Sequence, residues 1–133
     1  MQRTIIHSLQ YGPGIAEVDT AAGRVRGVIR NGVYTYLGIR YAEAERFEAP
    51  RPPAKWEGVR EMLHQGPICP SMAPAVLPET GNILNPPMFY PADEHCQTLK
   101  LWTPSIDPTA KKPVMFWLHG GGSAFGNCLD FDG

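Results

Sequence analysis

His119-Gly120-Gly121-Gly122-Ser123 gathers, at the tightest spacing in the chain, residue types that could do chemistry. Glycine adopts positive φ without a steric penalty and lets backbone N–H groups approach a ligand closely, which suits a site for developing negative charge. Three readings follow: a phosphate loop, an oxyanion hole, or a tight structural turn. The phosphate readings fail on spacing. Gly121 and Gly126 have P-loop separation, but Asn127 follows where Lys-Ser/Thr is needed, and G-x-G-x-x-G would require glycine at Phe125.

The loop must be delivered by the segment before it. Pro113 to Leu118 is an unbroken apolar run, too short for a helix and rich in β-branched and aromatic residues, so it reads as a strand covered on both faces. Upstream, Thr98–Thr103 alternates apolar and polar and stops at Pro104, which predicts a strand with one solvated or partly covered face. Near the start, Ile15–Asp19, Arg24–Arg30 and Val33–Ile39 predict a three-stranded antiparallel meander. Asn31-Gly32 is the preferred pair for a type I′ hairpin turn within it. Residues 1–14 read as a loose leader ending at Gly12-Pro13-Gly14, and residues 15–133 as the domain proper. From Arg40 to Gln65 the packing anchors are Arg46-Phe47 and Trp56-Glu57-Gly58-Val59. The proline-dense stretch Gly66 to His95, bracketed by Cys69 and Cys96, has no sustained period and reads as an Ω-type loop.

The 133 residues, 43% hydrophobic and 19% charged, have the composition of an ordinary globular domain. Net charge is −1 and the basic residues are dispersed, which argues against nucleic acid or an anionic membrane as partner. No apolar run approaches the ~20 residues of a membrane span. The N-terminus lacks the apolar core and cleavage site of a signal peptide, so the expected compartment is the cytoplasm. No metal or cofactor is expected.

Four groups of residues then stand in one order along about 15–133. They are Gly23-Arg24-Val25-Arg26-Gly27; Tyr36-Leu37-Gly38-Ile39-Arg40-Tyr41-Ala42 with Arg46-Phe47 and Pro50-Arg51-Pro52-Pro53; Glu94-His95-Cys96 with Leu99-Lys100-Leu101-Trp102-Thr103-Pro104; and Pro113 to Gly122. In that order and spacing the chain resembles the type-B carboxylesterase/lipase family, which includes the bacterial p-nitrobenzyl esterases and, more distantly, the cholinesterases. The resemblance implies an α/β fold: the N-terminal part of an α/β-hydrolase, with antiparallel hairpin strands leading into a mixed central sheet that is incomplete in this chain.

It also implies roles at matching positions. Gly121 and Gly122 correspond to the oxyanion-hole amides, with His119 and Gly120 shaping the turn. His119 precedes any nucleophile elbow, whereas the family's triad runs Ser, acid, His, so it is expected to brace the loop rather than act as base. Ser123 is not an elbow serine, since Phe125 stands where G-x-S-x-G needs its last glycine; both residues are expected to shape substrate binding. Cys69 and Cys96 match the family's first disulfide, whose loop closure would contribute roughly 3–4 kcal/mol, whereas a reducing compartment would leave two thiols. Cys128 is expected to be a free thiol. Arg46 and Glu94 match a family ion pair. His95 replaces an aspartate of the family, removing a carboxylate that would cap the turn. Pro86 replaces the cholinesterase tryptophan, so neutral esters are expected rather than choline esters.

The expected function is thus that of the N-terminal part of a serine carboxylesterase acting on small neutral carboxylic esters. It would supply the oxyanion hole, while no G-x-S-x-G, triad acid or triad histidine is found in these residues. Such a chain would be inactive alone and could pair with a complementary C-terminal chain. The alternative is a non-catalytic interaction module or split-enzyme subunit of the same fold.

Overall fold

The computed structural model describes residues 8–70, 90–124 and 126–129; residues 1–7 of the expected leader, Pro86 and Phe125 lie outside these. Within the described residues the chain forms strands β1 (Leu9–Gln10), β2 (Glu17–Asp19), β3 (Arg24–Arg26), β4 (Val28–Arg30), β5 (Val33–Arg40), β6 (Val59–Glu61) and β7 (Thr98–Thr103), with no helix. They make two sheets. The larger runs β1-β4-β5-β7 and is antiparallel throughout; the smaller runs β2-β3-β6, with β3 antiparallel to β2 and parallel to β6.

The Asn31-Gly32 turn forms as expected. Both residues have positive φ, 51° and 82°, the twist a two-residue hairpin needs, and Arg30 faces Val33 across it. Asn31 does a second job: its Oδ1 accepts the Ser8 N–H at 3.0 Å and its own N–H donates to Ser8 O at 2.9 Å. This ties down the entry to β1, so the described end of the leader joins the sheet beside β4.

The expected meander is instead divided between the sheets, and the division falls at Gly27. Its N–H donates to Ala16 O at 3.0 Å, the last bond in register with β2–β3, and the chain then passes from β3 in one sheet to β4 in the other. A Cβ at Gly27 would sit 2.3 Å from Thr35 O and 2.7 Å from the Tyr36 ring. Only glycine lets the two layers come this close. A second link lies in β5, where a bulge between Tyr36 and Ile39 turns Leu37 away from β7, so that its N–H donates to Met62 O at 2.9 Å. Gly38 makes that bulge at φ 72°. The core between the sheets is small: Ala16, Val25, Tyr36 and Met62 are buried, flanked by Val18, Ile29, Tyr34, Ile39 and Trp56.

On β2–β3 the pairing sorts residues by face. Val18 opposes Val25 toward the core, while Glu17 opposes Arg26 and Asp19 opposes Arg24 on the other side. Both charged pairs close at 2.7 Å. Arg26 reaches further, to Glu61 Oε1 at 3.3 Å, and Glu61 also accepts the Tyr11 hydroxyl, so one guanidinium joins β3, β6 and the chain after β1.

Thr98–Thr103 is a strand with the expected bounds, β7, at the edge of its sheet. The run Pro113–Leu118 overturns the expectation of a buried strand. It belongs to neither sheet, and Val114, Met115, Phe116, Trp117 and Leu118 are 87%, 92%, 73%, 64% and 75% exposed. A strand buried on both faces needs neighbours on both edges and a layer over each face. The described residues provide the run with neither.

Candidate functional site

Between β7 and the glycine loop the chain is shaped by short side-chain-to-backbone turns. Ser105 N–H donates to Thr103 Oγ1 at 3.3 Å, and Thr109 donates to Asp107 Oδ1 from its backbone N–H at 2.8 Å and its hydroxyl at 2.7 Å. Those two bonds, the hydroxyl's first, hold the Asp107 carboxyl below the usual aspartate value. The run 113–120, outside both sheets, then carries the chain to the loop.

The loop folds back on itself. Ala124 N–H donates to Gly121 O at 3.1 Å, and the His119 ring at Nδ1 is 2.7 Å from Gly120 O, a separation bridged when Nδ1 carries the proton. Gly121, Gly122, Ser123 and Gly126 all have positive φ: 124°, 60°, 61° and 92°. Gly126 closes the loop, since a Cβ there would lie 2.5 Å from Gly120 O and 3.1 Å from His119 Nδ1. Among the described residues no acceptor takes the N–H of Gly121 or Gly122. Ser123 is exposed, and the position of Phe125 lies outside the described residues. Two neighbouring glycine amides at positive φ, with no acceptor among the described residues, can donate to an anionic oxygen.

The other predicted residues gather elsewhere. Arg46 Nη2 and Glu94 Oε1 form an ion pair, whose side chains are 66% and 47% exposed, so it contributes little to stability. The Arg46 guanidinium holds the Glu94 carboxyl below its usual value. Next to it, Ile68 and Ala92 form a parallel bridge, with Ile68 N–H donating to Pro91 O at 2.9 Å and Asp93 N–H to Ile68 O at 3.0 Å. The two ends of the proline-rich excursion therefore meet. Cys69 and Cys96 are free thiols here, near enough to hydrogen-bond, and burial followed by that bond pushes the Cys96 thiol up. Cys128 is also a free thiol.

Sequence reasoning missed two structural contributors. Asp93 Oδ1 accepts the His95 N–H at 2.7 Å, so the turn that loses a carboxylate at position 95 is capped from two residues earlier. The Asp-x-His spacing could have signalled it. The sequence around Gly126 suggests only a phosphate-motif spacing, and its close approach to His119 carries no local signal. Among the described residues no three His, Cys, Asp or Glu side chains are grouped as metal ligands, and no helix is long and apolar enough to cross a membrane.

This strand-rich architecture is shared with solved esterases of the α/β-hydrolase class. The structure of an esterase from the anaerobe Clostridium hathewayi, described as able to hydrolyse aliphatic aromatic polyesters, matches with a TM-score of 0.81 at 41% identity, covering 91% of this chain and 24% of that one. A profile described as the carboxylesterase family matches residues 15–133, and the chain belongs to that family. Phenmedipham hydrolase of Pseudarthrobacter oxydans is 40% identical over 113 residues, which make up 81% of this chain and 22% of that protein. The para-nitrobenzyl esterase of Bacillus subtilis is 35% identical over 108 residues, 78% of this chain and 21% of that protein. The chain thus spans about a fifth of the length of these relatives.

Proposed function

We propose that this chain is the N-terminal portion of a serine carboxylesterase for small neutral carboxylic esters and contributes its oxyanion hole. The observation that carries the reading is the His119–Gly122 run in a member of the carboxylesterase family, with Gly121 and Gly122 in positive φ and their amides free of acceptors among the described residues. In the reaction a serine outside these residues attacks the ester carbonyl. The oxygen gains negative charge as the carbon becomes tetrahedral, and the Gly121 and Gly122 amides stabilise it. Collapse expels the alcohol, and water then releases the acid from the acyl-enzyme.

The relatives' names support an ester as substrate. The 113–118 run supports assembly, because its exposed side chains form an apolar surface that suits docking of the portion bearing the nucleophile. On this reading the purified 133-residue chain gives no p-nitrophenyl acetate turnover above background and takes up no fluorophosphonate probe. Stoichiometric labelling would place a reactive serine within the chain and overturn the division of labour proposed here.

A further inference from the structure

A groove of about 660 Å³ opens between the turn joining β2 to β3, the end of β5 and the segment leading into and past β6. It shares no residue with the 119–124 loop. Its aromatic wall is Trp56, which is held on several sides. The Trp56 backbone N–H donates to Ala22 O and its indole Nε1–H to Arg24 O, each at 3.0 Å. A Cβ at Gly23 would come within 2.5 Å of the indole, so glycine is what allows the ring to lie against the turn. The Arg60 guanidinium covers the ring at 4.3 Å from its centroid.

The charged residues that line the groove have one sign. Arg40, Lys55 and Arg60 line the groove and no aspartate or glutamate does. Of the carboxylates on the adjoining segments, Asp19 pairs with Arg24, Glu17 and Glu61 with Arg26 and Glu43 with Arg51, while Glu57 follows Trp56 in the chain without lining the groove. An apolar body among Val25, Ile39, Met62 and the uncovered rim of Trp56, with one negative charge among three cations, satisfies both halves of the lining. The volume lies within the ~300–1,000 Å³ range of small-molecule sites.

We propose that this groove binds a small amphipathic carboxylate, an aromatic or short-chain acid. Acids of that class are what ester hydrolysis releases, so if the function proposed above holds, the groove responds to product; the binding itself does not depend on that function.

The test is a titration of the 133-residue chain, followed by ¹H–¹⁵N NMR at the Trp56 indole N–H, with 4-tert-butylbenzoate and with its neutral isostere 4-tert-butylbenzamide. The benzoate should shift that signal saturably and bind about tenfold more tightly than the amide, the sum of several modest exposed charge contacts. The double variant Lys55→Gln/Arg60→Gln should lose most of that preference. Equal affinity of the two ligands, shifts confined to Trp117 and the glycine loop, no saturable shift at all, or tighter binding of a glutamate-rich peptide than of the benzoate would each overturn the proposal. The comparison of isosteres is made on the unaltered chain and does not rely on the variant folding.

Discussion

Single residues in this fold work by what they leave out or by what they hold. Gly27 and Gly32 separate two uses of glycine. At Gly27 the constraint is space, with Thr35 O 2.3 Å from where a Cβ would be; at Gly32 nothing lies within 4 Å and the constraint is φ 82°. Gly27→Ala should therefore cost about 2–4 kcal/mol, by forcing the sheets apart, and Gly32→Ala only about 1 kcal/mol. Urea unfolding checks the order, and equal losses would mean that the sheets do not meet at Gly27. Glu17 holds rather than leaves out: the Gly14 N–H, and after it Arg26, lower its carboxyl below the ordinary 4.5. A carboxyl lowered in the folded state adds stability that is fully present above 4.5 and disappears as pH falls through its folded value. The unfolding midpoint should decline over that acid range, and Glu17→Gln should flatten the decline; a variant curve parallel to the wild type would contradict the assignment.

Among the elements, those read correctly from sequence are specified locally. Asn31-Gly32 carries the backbone preference of its own turn, and Thr98–Thr103 carries its alternation and its terminating proline, so both formed with the expected bounds. What could not be read is what depends on distant partners. The parallel pairing of β3 with β6 joins Arg24–Arg26 to Val59–Glu61 across a proline-broken path, and the division at Gly27 depends on the Tyr36 ring arriving from β5. The 113–118 run shows the same limit from the other side: its composition describes a segment able to be buried, while burial itself depends on what covers it. With Met115 92% and Phe116 73% exposed, the chain alone should self-associate through this run. Met115→Lys with Phe116→Lys should shift sedimentation toward monomer while leaving the dispersion of the sheet's amide signals unchanged. Unchanged association would move the sticky surface elsewhere.

For the molecule as a whole, membership of the carboxylesterase family and the backbone of the glycine loop support the function proposed above, on a chain that spans 22% of a relative such as phenmedipham hydrolase. The signal for the proposed loop, His119 with three glycines after an apolar run, is short and contiguous in the sequence, whereas the Trp56 groove is assembled from three separate stretches. The most direct measurement is p-nitrophenyl acetate hydrolysis by this chain co-expressed with a carboxylesterase C-terminal portion that carries the serine, acid and histidine. Activity should appear only in the pair, and replacing Gly121 or Gly122 by glycolic acid during translation, which exchanges the amide N–H for an ester oxygen and keeps the positive φ accessible, should lower kcat by roughly 10²–10³ without separating the two portions. A folded, associated pair with no activity, or one indifferent to the loss of those amides, would contradict the assignment of the loop as an oxyanion hole.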